Sequence, residues 1–122
     1  MNRYDRQERV HQIGVVGQQK ISHATIMIVG VGALGSYTAE QLVRAGVKRL
    51  VLIDPDTVDV TNLQRQSLFT EADANQQRLK VEAAKEHLHE INSACQITAI
   101  PAPITADLID EYQFTLCLDC LD

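Results

Sequence analysis

The chain has 122 residues, 45% hydrophobic and 22% charged, with a formal net charge of -5. That is one domain with enough apolar mass for a core and too little charge for disorder, and the acidic balance speaks against broad nucleic-acid or anionic-membrane binding. No run approaches the roughly 20 apolar residues of a bilayer span, the polar N-terminus reads as neither signal nor transit peptide, and three cysteines make no disulfide framework, so a cytoplasmic setting without membrane or nucleic-acid partners is expected.

Taken in chain order, apolar runs alternate with stretches of helical period. Residues 24–29 (Ala-Thr-Ile-Met-Ile-Val) form a continuous β-rich run ending at Gly30, the pattern of a strand buried on both faces. Residues 36–45 predict a helix, with Leu34, Thr38, Leu42 and Ala45 at helical spacing and Gly46 placed to end it. A second short strand spans 49–53 and runs into Asp54. The polar stretch 55–76 is long for a connection, and such length points to function. Val81, Ala84, Leu88 and Ile91 then mark one face of a helix, with Lys85, Glu86 and Glu90 outside. A strand over 94–100, a short helix over 106–110 and a fourth strand over 114–118, ending at Asp119, complete the order. The pattern predicts a Rossmann-like α/β fold, a doubly wound, mostly parallel sheet of about four strands.

Between the first strand and helix lies Gly30-Val31-Gly32-Ala33-Leu34-Gly35, a G-x-G-x-x-G in the context that motif requires. Gly30 permits the tight turn, Gly32 lets the backbone approach a phosphate, and Gly35 lets the helix pack closely on the strand. Asp54, ending the second strand, is placed to accept hydrogen bonds from a ribose. The loop specifies a nucleotide without specifying which, so an NAD-binding oxidoreductase domain stays open here. The segment after Asp54 narrows the choice. It brings Asn62 and the planar fork of Arg65 to the top of the sheet, and Lys80 opens the next helix as a movable charge. A triphosphate needs such groups; hydride transfer does not.

Cys117 and Cys120 spell C-x-x-C, but residues three apart on a strand face opposite ways, so inert, buried thiols are expected and zinc is not. Cys95 reads as a strand residue. His11, His23, His87 and His89 are assigned no chemistry.

Arg3-Tyr4-Asp5-Arg6-Gln7, the 30–35 loop, Asp54-Pro55-Asp56, Asn62-Leu63-Gln64-Arg65-Gln66 and Lys80-Val81-Glu82-Ala83-Ala84 together resemble the MoeB/ThiF/HesA family, which includes the adenylation domains of ubiquitin-activating enzymes. The resemblance implies an ATP-dependent adenylyltransferase that activates the C-terminal glycine carboxylate of a small ubiquitin-like sulfur-carrier protein (MoaD/ThiS type), for molybdopterin or thiamine type cofactor synthesis. It implies ATP over Gly30, Gly32 and Gly35, the ribose on Asp54, and the phosphates on Asn62, Arg65 and Lys80. Asp122 matches a catalytic Mg²⁺ ligand, and Arg6 a residue acting in trans across a homodimer. Residues 1–122 would then be the N-terminal portion of the adenylation domain, inactive alone.

Leu79 stands where the family often has Pro, and Arg78 competes with Lys80 for the phosphate role; helix register favours Lys80. A non-catalytic scaffold subunit is a further alternative, disfavoured because Arg6, Arg65, Lys80 and Asp122 all survive. A tRNA-modifying dehydratase relative is disfavoured by Leu63-Gln64.

Overall fold

The computed structural model describes residues 2–122. Its centre is a four-stranded, all-parallel sheet of β1 (Thr25–Val29), β2 (Arg49–Ile53), β3 (Gln96–Ile100) and β4 (Leu116–Asp119), in the order β3-β2-β1-β4. β1 and β2 are central, which is why both read as unbroken apolar runs. Successive side chains point to opposite faces. Ile26, Ile28, Leu50, Leu52 and Ile97 enter one core layer, while Met27, Val29, Val51 and Ile53 enter the other.

The first layer is closed by α3 (Ala33–Ala45) and α5 (Lys80–Ile91), through Ala39 and Val43 on one and Val81, Ala84 and Leu88 on the other. The second is covered by α6 (Ala106–Glu111) and its flanks, through Ile104, Leu108, Tyr112 and Phe114. Helices on both faces and a strand order that reverses between β1 and β4 make this the expected doubly wound arrangement. The crevice at the carboxyl ends of β1 and β4 is the topological switch point where such sheets bind ligands.

Several expectations need correction. Helix α3 begins at Ala33, and its buried face is Gly35, Ser36, Ala39 and Val43; Leu34 is 62% exposed. Mostly small residues face the sheet because the helix lies close to it, so Leu34 did not report the core, although Leu42 packs against its margin. β3 and β4 each begin two residues later than their apolar runs. The N-terminal segment, given no structure from its sequence, forms α1 (Asp5–Glu8) and α2 (Gly14–His23). The stretch 55–76 holds a 3-10 turn, Val60–Asn62, and a short helix, α4 (Glu71–Asn75), each closed by a capping box. Cys95, expected in a strand, precedes β3 and is buried, whereas Cys117 and Cys120, expected to be buried, are only half-buried.

Candidate functional site

The glycine loop turns directly off β1. Gly30 adopts φ +92, a left-handed conformation that side chains disfavour, and a Cβ there would lie 2.8 Å from the Cys120 carbonyl oxygen. At Gly35 a Cβ would stand 1.8 Å from the Gly30 carbonyl oxygen, so the first turn of α3 presses on the loop backbone itself. Gly32 differs. Its Cβ would meet only the Gln66 amide nitrogen, at 3.6 Å, which is ordinary contact. Packing does not require that glycine.

Asp54 is buried and ties the loop to β2. One carboxylate oxygen accepts the Val31 N–H at 2.7 Å and the other accepts the Asp56 N–H at 2.8 Å. Each oxygen has a second lone pair, so these bonds leave acceptor capacity for a hydroxyl. The chain beyond β4 closes against the same loop. The Cys120 N–H donates to the Val29 carbonyl at 2.8 Å, and the Leu121 N–H to Asp119 Oδ1 at 3.1 Å. Asp122, exposed, follows two residues after Cys120.

Lys80 reaches this end of the sheet through a short antiparallel pairing. Thr57 bridges Leu79; the Val58 N–H donates to Arg78 O at 2.8 Å, and the Lys80 N–H to Asp56 O at 2.9 Å. Lys80 is only 7% exposed, yet among the described residues no ion pair holds it. The stem is therefore buried while the ammonium, which is not among the buried polar atoms lacking a partner, keeps access to solvent and is free to meet an anion. Leu79 has φ -60, within the range of proline, so the departure from Pro leaves the backbone path unchanged.

Asn62 lies in the 3-10 turn, where its Oδ1 accepts the Asp59 N–H at 2.9 Å. Asp59 in turn accepts from the Thr61 backbone and hydroxyl, bonds that hold its carboxyl below the usual carboxylate range. With Oδ1 engaged, Asn62 presents its amide N–H groups. Arg65, exposed, donates to Thr61 O at 3.0 Å and Gln64 Oε1 at 3.1 Å. Both residues stand on the loop after β2, on the site side of the sheet.

Arg78 is engaged elsewhere. Its guanidinium pairs with Asp73 at 3.0 Å and Glu86 at 2.6 Å. Asp73, 2% exposed, also meets His87 Nε2 at 2.7 Å and caps α4 through Thr70. Burial pushes the Asp73 carboxyl up, but hydrogen bonds from His87 and Thr70 outweigh it and hold it below the usual carboxylate range. This cluster clamps α4 to α5 and so steadies the segment that carries Asn62 and Arg65. The sequence reading gave His87 no role and missed Asp73, although Thr70-x-x-Asp73 before a helix was the available signal. It also passed over Gln66, 3% exposed, whose Oε1 is the one buried side-chain polar atom without a partner among the described residues. That side chain abuts Gly32.

Arg6 is not brought to this site. It lies on α1, beside the carboxyl end of α3, while the glycine loop lies at the other end of that helix. Thirteen helical residues separate the two by about 20 Å. A separate cleft of about 520 Å³ outside α5 and β3 is lined by Glu82, Lys85, Glu86 and His89 among others; of the residues considered for the nucleotide it includes only Arg78, whose guanidinium is already paired. Among the described residues no helix is long and apolar enough to cross a membrane, and no group of three or more His, Cys, Asp or Glu side chains is placed to hold a metal.

Comparison with known proteins identifies the family and the fold. The ThiF family pattern matches residues 4–122. The sulfur carrier protein ThiS adenylyltransferase of Bacillus subtilis is 45% identical over 109 residues, covering 89% of this chain and 32% of the relative. The molybdopterin-synthase adenylyltransferase of Haemophilus influenzae is 39% identical over 122 residues, covering 98% and 49%. Among solved structures, Escherichia coli MccB with ATP superimposes with a TM-score of 0.88 at 31% identity, covering 99% of this chain and 37% of that one. Escherichia coli tRNA N6-threonylcarbamoyladenosine dehydratase in complex with ATP gives 0.87 at 30% identity, covering 98% and 49%. The chain spans about a third to a half of the length of these relatives.

Proposed function

This chain belongs to the ThiF family, and from that membership we propose that it is the N-terminal, ATP-binding part of an adenylyltransferase acting on the C-terminal glycine carboxylate of a small ubiquitin-like sulfur carrier. The observation that carries the reading is Lys80, its stem buried and its ammonium without an ion pair among the described residues, at the carboxyl end of a sheet whose loop keeps a glycine, Gly32, that packing does not require. An NAD-binding domain needs the loop but not that cation.

In this reading the loop at Gly30, Gly32 and Gly35 holds the nucleotide on backbone N–H groups at the start of α3. Asp54 accepts from the ribose, and Asn62, Arg65 and Lys80 hold the phosphates. The carrier's carboxylate oxygen attacks the α-phosphorus, the bond to the bridging oxygen breaks, and pyrophosphate leaves an acyl-adenylate. Two anions must be brought together, so charge neutralisation and alignment contribute more than proton transfer. Asp122 is the residue assigned to Mg²⁺, which would screen phosphate charge when bound. A single exposed carboxylate following the chain that packs on the loop suits that ion, since Mg²⁺ is usually held by one or two carboxylates together with substrate phosphates.

Arg6 serves the site of a second copy in a homodimer; its distance from the loop of its own chain supports that role. The family resemblance and the free cysteines support a cytoplasmic protein, and thiamine or molybdopterin type synthesis follows the named relatives. The test is competitive binding to the protein carrying this chain. ATP with Mg²⁺ is expected to bind and NAD to fail as a competitor; preference for NAD would overturn the reading.

A further inference from the structure

The N-terminal helix α1 is four residues long and buries none of them. A helix that short has no stability of its own, so its position depends on whatever ties it down. Those ties are specific. Gln7 Nε2 donates to the Ala45 carbonyl at 2.9 Å, and Gln18 Nε2 from α2 donates to the same oxygen at 2.9 Å. The two glutamines are also bonded to each other, Gln7 Nε2 to Gln18 Oε1. Asn92, at the end of α5, donates to the Tyr4 hydroxyl at 3.0 Å and to the Val43 carbonyl at 3.2 Å. Arg3 adds a long bond to the Ile91 carbonyl at 3.5 Å.

Three of these acceptors, Val43, Ala45 and Ile91, are last-turn carbonyls of α3 and α5, where the regular helical ladder runs out; Val43 O also accepts the Gly46 N–H at 3.2 Å. Gly46, at φ +103, turns the chain away and makes room: a Cβ there would lie 2.7 Å from Gln18 Nε2 and 2.8 Å from the Tyr4 ring. Gln18 and Asn92 are 5% and 4% exposed, so the receiving half of the contact belongs to the core. Tyr4 and Gln7 are the inserting half. Arg6 sits between them, is exposed, and makes no ion pair among the described residues.

We infer that Tyr4 and Gln7, received by Gln18, Asn92 and Gly46, form a latch that positions Arg6 to enter the nucleotide site of a second copy of this chain. The inference rests on the proposal that Arg6 acts across a dimer. Tyr4 and Gln7 are positioning residues: they touch no substrate, and their effect on the reaction passes through Arg6. Because Ala45 O keeps its bond from Gln18 when Gln7 is shortened, and Asn92 keeps Val43 O when the Tyr4 hydroxyl is removed, both ends of the latch can be opened without orphaning a core carbonyl.

The experiment is pyrophosphate–ATP exchange by the protein carrying this chain, with its sulfur-carrier partner, using Arg6→Ala, Gln7→Ala and the pair combined. Thermal melting of each variant is measured alongside, and Tyr4→Phe serves as a second opening of the latch should Gln7→Ala melt early. Gln7→Ala is expected to lower exchange on the order of tenfold to a hundredfold, the scale of a misplaced reacting group. In the Arg6→Ala background it should cost no further activity. Mixing Gln7→Ala subunits with Asp54→Ala subunits should restore exchange, because the mixed dimer has one site with an intact nucleotide pocket and a correctly held partner arginine. Losses that multiply in the double variant, or a mixture that stays inactive, overturn the latch. Full exchange by Arg6→Ala alone overturns instead the shared site on which the latch depends.

Discussion

Gly32 and Gly35 lie three residues apart in one motif, yet alanine at each should fail for a different reason. At Gly35 the new methyl would stand 1.8 Å from the Gly30 carbonyl oxygen, where ordinary contact begins near 3.4 Å. Backbone must therefore move by about 1.5 Å, which lifts the start of α3 from β1 and loosens Ala39 and Val43 in the core. Overpacking of that kind costs about 3 kcal/mol, or about 10 °C in Tm for a domain this size. At Gly32 the methyl meets only the Gln66 amide, at 3.6 Å, and φ is -91, so the fold has little to lose. Its cost falls on a phosphate approaching the loop. Thermal melting and ATP titration, run on both variants, separate these effects: Gly35→Ala should lose stability and nucleotide together, and Gly32→Ala should melt within about 2 °C of the parent while binding ATP at least about tenfold more weakly. A Gly32→Ala protein with unchanged ATP affinity would refute the assignment of the loop to phosphate, and a Gly35→Ala protein with unchanged Tm would refute the packing geometry.

Lys80→Met keeps the stem that packs at the start of α5 and removes the unpaired charge. ATP affinity should fall by about tenfold or more while Tm holds or rises, read by isothermal titration and melting. Asp73→Asn weakens the pairing with Arg78 and His87 and should cost about 3 kcal/mol at neutral pH. Because the folded Asp73 carboxyl titrates below its unfolded value, its contribution is complete above about pH 4–5 and lost as pH falls through the folded value. Denaturant midpoints of parent and variant should therefore converge in acid. Burial pushes the Cys95 thiol up to about 11; at pH 8 it should react with a thiol reagent no faster than the protein opens, while the half-buried Cys117 and Cys120 react first, as mass spectrometry of timed labelling would show.

The central strands and α5 were legible because burial on two faces leaves an unbroken apolar run, and burial on one leaves a clear helical period. The face of α3 was not. Close packing on the sheet selects Gly35, Ser36, Ala39 and Val43, and small residues give little apolar signal beside the exposed Leu34. Helices α1 and α2 escaped for a related reason: Val15 and Val16 of α2 are exposed, and the segment is held by amides rather than by an apolar stripe. Gly30, Gly32, Gly35 and Asp54 lie at the strand ends where the motif puts them, since local chain geometry fixes their place, whereas Lys80 opens α5 as read but is drawn to that end by the Thr57–Leu79 pairing. The Asp73–His87 contact spans 14 residues of sequence and two helices, so only folding brings it together. Arg6 shows the converse: its motif was readable, but its separation from the glycine loop was not.

The most direct test is carrier-dependent pyrophosphate–ATP exchange by the protein carrying this chain, with a ThiS-type or MoaD-type carrier ending in a free glycine carboxylate. Exchange should appear with the intact carrier and vanish when that carboxylate is amidated, because the attacking oxygen is then gone. Equal exchange with the amidated carrier, or with no carrier present, would contradict the proposal that this chain serves carboxylate adenylation.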